Sequence, residues 1–180
     1  QTVAGNFAEH YGLGWALHTV GGERVIGHGG TTNGFQAQLQ LVPSRDFAVA
    51  VLTNSNRGAA AAREIIDWVL AERLGLREEA QPTFALGADA LAGFAGRYVR
   101  PRVVVEVTPE DAGLVVRVTT DGPEGSGRVT NPPIHLRPIA EREFVIEDGE
   151  SAGVRVDFLE RPDDGRHIIR LGGRLAECVD

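Results

Sequence analysis

The chain has no lysine, no methionine and a single cysteine in 180 residues. All 18 basic residues are therefore arginines, and no mechanism that requires a lysine can be completed by these residues alone. The missing methionine leads to the expectation that the chain is a processed product or part of a longer polypeptide. Cys178 by itself excludes an internal disulfide and a cysteine metal cluster, and leaves the compartment open. No apolar run approaches the roughly 20 residues of a membrane helix. The start, Gln1-Thr2-Val3-Ala4-Gly5, has neither the basic nor the apolar region of a signal peptide. A net charge of -7 and a pI near 5.3 argue against a nucleic-acid partner. Nothing in the composition calls for a cofactor or a metal.

What is present is ordinary for a globular protein, with 42% hydrophobic and 24% charged residues. Residues 11–20 read as a strand with Tyr11, Leu13, Trp15, Leu17 and Thr19 on one side. Gly21-Gly22 is a hairpin turn, and 23–27 return as a second strand. The stretch His28-Gly29-Gly30-Thr31-Thr32-Asn33-Gly34 reads as a glycine-rich connection into a third strand, 35–42. Pro43-Ser44-Arg45-Asp46 is a turn. The nearly continuous apolar run 47–53 predicts a strand buried on both faces. Asn54-Ser55-Asn56 offers N-caps for a helix over 59–74. Its core face is approximated by Ala62, Ile65, Ile66, Val69 and Arg73, and Gly75 is its stop.

Beyond this point the pattern changes. Residues 78–88, with Pro82 and Gly87, read as a linker, and Asp89 caps a short helix over 89–96. Short strands follow at 97–99, 103–108, 114–119, 134–138, 143–147, 154–159, 168–171 and 175–178. Turns such as Asp121-Gly122-Pro123 and Pro162-Asp163-Asp164-Gly165 separate them. Regularly spaced short strands without helices imply an antiparallel barrel or sandwich. The expected fold class is α+β: an antiparallel sheet with one C-terminal helix over 1–77, the linker, and an all-β barrel over 89–180.

The order of Tyr11-Gly12-Leu13-Gly14-Trp15, His28-Gly29-Gly30-Thr31-Thr32-Asn33-Gly34-Phe35, Leu41-Val42-Pro43 and Val49-Ala50-Val51-Leu52-Thr53-Asn54 before a terminal helix resembles the C-terminal part of serine beta-lactamase-like hydrolases. That family includes AmpC-type beta-lactamases, D-alanyl-D-alanine carboxypeptidases, D-aminopeptidases and related esterases. The resemblance covers residues 11–75. Residues 97–180 resemble, by strand spacing, the lipocalin-like barrels appended to some members. His28-Gly29-Gly30 stands where the family has Lys-Thr-Gly or His-x-Gly, and looks more like the aminopeptidase and esterase branches than the true beta-lactamases.

The resemblance implies roles. His28 would donate a hydrogen bond or positive charge toward a tyrosine network or a substrate carboxylate. Gly29 and Gly30 would let a small-molecule or peptide substrate lie against the strand. The backbone N–H of Thr31 would be one half of an oxyanion hole. The family's Ser-x-x-Lys nucleophile motif is absent, so Ser44, Ser55, Ser126 and Ser151 have no lysine partner. The chain alone is then expected to be inactive and, with a sheet face uncovered, to self-associate. The rival reading is a non-enzymatic barrel that binds a small apolar ligand or a partner.

Other titratable residues carry blander readings. His18 is expected to face solvent, since it alternates away from Trp15 and Leu17. His135 and His167 sit in separate strands and read as surface residues rather than a metal pair. Asp163-Asp164-Gly165 is a turn, without the spacing of a calcium loop. Glu78-Glu79 is a solvated pair in the linker.

Overall fold

Three two-residue turns set the register of the first half of the chain. Leu13-Gly14 (φ 52° and 84°), Gly21-Gly22 (55° and 81°) and Asn33-Gly34 (45° and 87°) each hold both residues at positive φ. This is the type I′ geometry that matches the right-handed twist of an antiparallel pair. The computed structural model describes residues 3–4, 9–55, 57–122, 127–149 and 151–179. Asn56, Ser126 and the tip of the turn expected at Asp121-Gly122-Pro123 lie outside the described residues.

Two units divide between Ala80 and Gln81. The first is a six-stranded antiparallel meander in chain order. Its strands are β1 (Val3–Ala4), β2 (His10–Gly12), β3 (Trp15–Val20), β4 (Glu23–Thr32), β5 (Phe35–Val42) and β6 (Phe47–Thr53). A 3-10 turn over Pro43–Arg45 joins the last two. Helix α1 (Gly58–Leu74) lies on one face.

Register decides which side chains meet that helix. Val25, Val42 and Val20 are buried with Ile66, Leu70 and Leu76, and Phe47, Val49 and Val51 pack against them. The alternate positions of β6, Ala48, Ala50 and Leu52, are exposed. The expectation that 47–53 is buried on both faces is thus corrected: one face meets α1 and the other is open. An apolar run alone does not tell a strand covered twice from one whose second face is bare.

Four local readings also change. Leu13 is 92% exposed because it is a turn residue rather than part of a continuous strand 11–20. His28 to Thr32 is the outer half of β4, not a connection. His18 shares the face of Ala16 and Val20 and is half-buried, so it does not face open solvent. The buried stripe of α1 is Gly58, Ala62, Ile66 and Leu70, strictly four residues apart, while Ile65 remains 45% and Trp68 63% exposed.

The helix begins at Arg57 without a side-chain cap. Ser55 contributes earlier: its Oγ accepts from the Arg57 N–H, and its carbonyl accepts from the Gly58 N–H at 2.9 Å. Gly75, at φ 70°, ends the helix as expected, with its N–H and that of Leu76 returning to Ala71 and Leu70.

The second unit is a closed up-and-down barrel. Helix α2 (Ala88–Ala92) precedes it, with Gly87 rather than Asp89 at the N-cap position. The strands are β7 (Gly96–Arg100), β8 (Val103–Glu110), β9 (Gly113–Asp121), β10 (Arg128–Thr130), β11 (Ile134–Pro138), β12 (Glu143–Ile146), β13 (Arg155–Glu160), β14 (His167–Leu171) and β15 (Arg174–Cys178). Leaving aside β10, which among the described residues pairs with the end of β9, each strand pairs with the next and β15 closes on β7. Closure leaves no free edge in the barrel wall.

Inward positions of alternate residues fill the barrel. Tyr98, Phe144, Phe158, Leu136, Val116 and Ile169 are at most 1% exposed. Phe94 stacks edge-on and tilted with Phe144 and Phe158 at 5.5 and 4.7 Å between ring centres. The Tyr98 hydroxyl donates to the Phe94 carbonyl at 2.8 Å, and burial pushes its phenol well above the usual range. Within this unit Arg137 Nη1 donates to the Pro82 carbonyl and the Phe84 N–H to the Pro138 carbonyl.

Candidate functional site

Strand β4 outlasts its neighbour. Its first half pairs with β3, from Glu23 opposite Val20 to Gly27 opposite Ala16. Beyond that, His28 to Thr32 pair only with β5 among the described residues: His28 with Leu39, Gly29 with Gln38, Gly30 with Ala37, Thr31 with Gln36 and Thr32 with Phe35. The Leu13-Gly14 turn cuts β3 off at Trp15, and so opens this edge.

The turns fix which backbone groups face it. A two-residue loop closes with a hydrogen-bonded pair, here Thr32 with Phe35, and such pairs alternate along an antiparallel ladder. His28, Gly30 and Thr32 therefore bond to β5. Gly29 and Thr31 point their N–H and C=O groups outward. The Gly21-Gly22 hairpin gives the same phase from the other end, because Val20 with Glu23 is again the closing pair.

Side chains sort to two faces. Trp15, His28, Ala37, Leu39, Ala50 and Leu52 share the face opposite α1. Together with Gly14, Gly29, Gly30 and Gln38 they line a groove of about 440 Å³. The indole of Trp15 meets the His28 ring edge-on, with centres 6.4 Å apart and planes at 85°. His28 is exposed. The helix-side face carries Thr31 and three glutamines. Thr31 Oγ1 donates to Gln36 Oε1 at 2.6 Å.

Gly29 and Gly30 differ in what they make room for. A Cβ on Gly30 would meet nothing within 4 Å, whereas one on Gly29 would fall 2.9 Å from Gln38 Nε2. Gly29 thus accommodates a neighbouring carboxamide, and Gly30 leaves the groove face bare. The four residues singled out in the sequence, His28, Gly29, Gly30 and Thr31, lie consecutively on one strand at one open edge. Gln36 and Gln38 escaped that reading. Their signal was present: polar residues at every second position of β5, opposite Gly27, Gly29 and Thr31.

The remaining candidates are dispersed. Ser44 Oγ donates to Glu23 Oε2 at 2.6 Å, and Arg45 Nε to Glu23 Oε1 at 2.9 Å. These two hydrogen bonds hold the Glu23 carboxyl below the usual range. His167 stacks on Phe94 at 5.3 Å. His135 Nδ1 lies 2.9 Å from Asp148 Oδ2. Asp164 accepts from the backbone and side chain of Arg166, which lowers its pKa and organises the 163–165 turn. Among the described residues no group of three or more metal-ligating side chains comes together. No helix of the described residues is long and apolar enough to cross a membrane.

An antiparallel meander followed by a helix, with a glycine-rich strand whose outer half pairs on one side among the described residues, defines the class, and comparison with known proteins agrees. Residues 1–73 match the Beta-lactamase family. That match runs along nearly the whole of the first unit, where the motifs resembling the family lie. Over 148 residues the chain is 34% identical to a D-aminopeptidase of Cereibacter sphaeroides, a match covering 82% of this chain and 24% of the relative. A D-aminopeptidase from another strain of that organism is 32% identical over 118 residues, covering 63% of this chain and 20% of the relative. The chain thus spans about a quarter of the length of these relatives. Among solved structures, SurE crystallised with D-Leu aligns over 98% of this chain and 40% of its own, with a TM-score of 0.65 and 23% identity. That likeness is one of fold.

Proposed function

We propose that residues 28–31 form the substrate-side edge of a serine hydrolase site that acts on D-aminoacyl peptides, amides or esters. The observation that carries this reading is the outward N–H of Thr31 on an unpaired edge, next to His28. A substrate laid along that edge adds a strand, bonding through its backbone to Gly29 and Thr31. The scissile carbonyl then sits on the Thr31 N–H, which stabilises the oxyanion as a serine attacks. The serine's own N–H is the second donor. Water releases the acyl group in the second half-reaction.

The nucleophile and its lysine come from outside these 180 residues in this reading, so the chain by itself is inactive. His28, beside the edge and held against Trp15, donates toward the proton-transfer group or a substrate carboxylate. The D-aminoacyl substrate class is taken from the D-aminopeptidase relatives and from the D-Leu bound to SurE. The second unit is a lipocalin-like accessory barrel. Its interior, filled by Tyr98, Phe144 and Phe158, supports a structural role over a ligand-holding one.

The test compares the 180-residue chain with the full-length protein on D-alanine p-nitroanilide and a short p-nitrophenyl ester. The full-length protein is expected to turn over at least one, and the chain neither. Replacing His28 with Ala in the full-length protein should lower kcat/KM by roughly 10- to 1000-fold. Burst kinetics from the chain alone, or unchanged kinetics in the variant, would contradict the reading.

A further inference from the structure

The geometry points to Gln38 as a substrate-reading residue. Its carboxamide occupies the side-chain space of Gly29 and presents its polar atoms to a peptide group lying on the open edge. The inference rests on the reading of that edge as the substrate site.

Three observations converge on it. Gln38 reaches across β4 from β5: a Cβ at Gly29 would lie 2.9 Å from its Nε2 and 3.1 Å from its Oε1. The backbone of the same residue borders the groove beside His28, while its carboxamide lies on the helix-side face over Gly29. Gly29 is also one of the two positions whose backbone groups face outward. The glutamines on either side are engaged differently. Gln36 accepts from Thr31 Oγ1, and the Oε1 of Gln40 is buried over Gly27. Of the three, Gln38 alone lies over a glycine in the unpaired part of the strand.

A carboxamide offers two donors and one acceptor and carries no charge. It suits an uncharged peptide or amide group, and offers a carboxylate no counter-charge. An added strand lies about 4.8 Å from β4. The amide that covers Gly29 is therefore within side-chain reach of the substrate residue opposite Gly29. That residue is two positions along from the one whose carbonyl meets Thr31. Gln38 would then favour substrates that extend past the scissile residue over truncated ones.

The experiment uses the full-length protein and three probes, D-alanine p-nitroanilide and two versions of it extended by one alanine, one on the amino side and one on the leaving side. Gln38→Ala should raise KM for the extended probe that reaches Gly29 by roughly fivefold, the worth of one neutral hydrogen bond, with kcat and the short probe unaffected. Gly29→Ala, whose methyl would push the carboxamide aside, should cause a loss that does not add to that of Gln38→Ala. Gln38→Glu should discriminate against an extended probe ending in a free carboxylate. Calorimetric titration with the extended and short alanine amides reads the same preference without turnover. Turnover with a length preference indifferent to Gln38 would overturn the inference and leave the hydrolase reading intact. A Gln38-dependent binding preference without turnover would do the reverse. Additive losses in the double variant, or no binding of either amide, would overturn the inference.

Discussion

Arg170 holds Asp157 with both arms of its guanidinium across β13 and β14: Nε lies 2.8 Å from Oδ1 and Nη2 2.6 Å from Oδ2. Asp157 is 8% exposed, a buried charged residue between the inward-facing Val156 and Phe158, with Glu143 and Arg170 as its cross-strand neighbours. The pair raises the arginine's pKa, chiefly through the hydrogen bonds. Removing one partner strands the other, which costs about 3–5 kcal/mol when fully buried and less for a pair that keeps some exposure. Asp157→Ala and Arg170→Ala should each lower the denaturation midpoint of the barrel strongly. Replacing both, Asp157→Val with Arg170→Leu, should be less damaging than either single change. Losses that add would show that the two residues act separately.

Gly27 is required by Gln40, not by a turn. The Gln40 carboxamide fills the place of the missing side chain, and a Cβ there would run into its Oε1, Cδ and Nε2. Gly27 is buried and Gln40 Oε1 has no partner among the described residues, so the amide has little room to yield. Gly27→Ala should destabilise the first unit by about 1–3 kcal/mol through overpacking. Gln40→Ala should recover part of that loss in the double variant. Thermal unfolding of the four proteins tests it, and a double variant no better than Gly27→Ala would remove Gln40 as the cause.

These two sites show where the sequence was legible and where it was not. The eight barrel strands could be placed because turn residues punctuate them and inward positions alternate. Helix α1 could be placed because Gly75 ends it. The strand character of 28–32 was hidden, since three glycines near a turn look alike whether they are the turn or make room for a neighbour. What distinguishes them lies on β5, at residues 36, 38 and 40, and only register brings those opposite 31, 29 and 27. The open second face of β6 was hidden for a related reason. Apolar content records that a residue tolerates burial, not which element covers it. The edge carrying His28 and Thr31 was found through resemblance to a family. No spacing rule predicts that β3 stops at Trp15.

His135 is a residue whose titration is tied to a named neighbour. The hydrogen bond that His135 Nδ1 donates to Asp148 Oδ2 at 2.9 Å raises its pKa above the ordinary 6.5, aided by the charges of Asp148, Glu110 and Glu147. A raised histidine contributes stability in full below its unfolded pKa and loses it as pH climbs through the higher folded value. The effect is small because the ring is on the surface. Proton NMR should show His135 titrating above 6.5 in the native protein and moving back toward it in Asp148→Asn. The stability gap between the two proteins should be present at pH 5 and gone at pH 9. A gap that widens with pH would reverse the assignment.

The open face of the meander should drive the chain to associate with itself. Trp15, Leu17, Ile26, Leu39 and Leu41 are half-buried on it, and Ala37, Ala48, Ala50 and Leu52 are exposed, with Leu52 at 78%. Alternation places all of them on the side away from α1, in register across four strands. Contiguous apolar surface beyond a few hundred Å² is uncommon on soluble monomers. Burying roughly 500 Å² of it at about 25 cal/mol per Å² is worth about 12 kcal/mol. Association costs on the order of 4–15 kcal/mol in lost freedom, so the balance falls near micromolar affinity or weaker. Light scattering of the 180-residue chain should therefore show mass rising with concentration through the micromolar range. Leu52→Asp, which sets a charge at the most exposed large apolar side chain of the patch without touching the α1 side, should return it to a monomer with its fold intact. Phe35→Asp, at the turn end of the same sheet, should act more weakly. A chain that stays monomeric at high concentration, or one whose association ignores Leu52→Asp, would place the contact elsewhere.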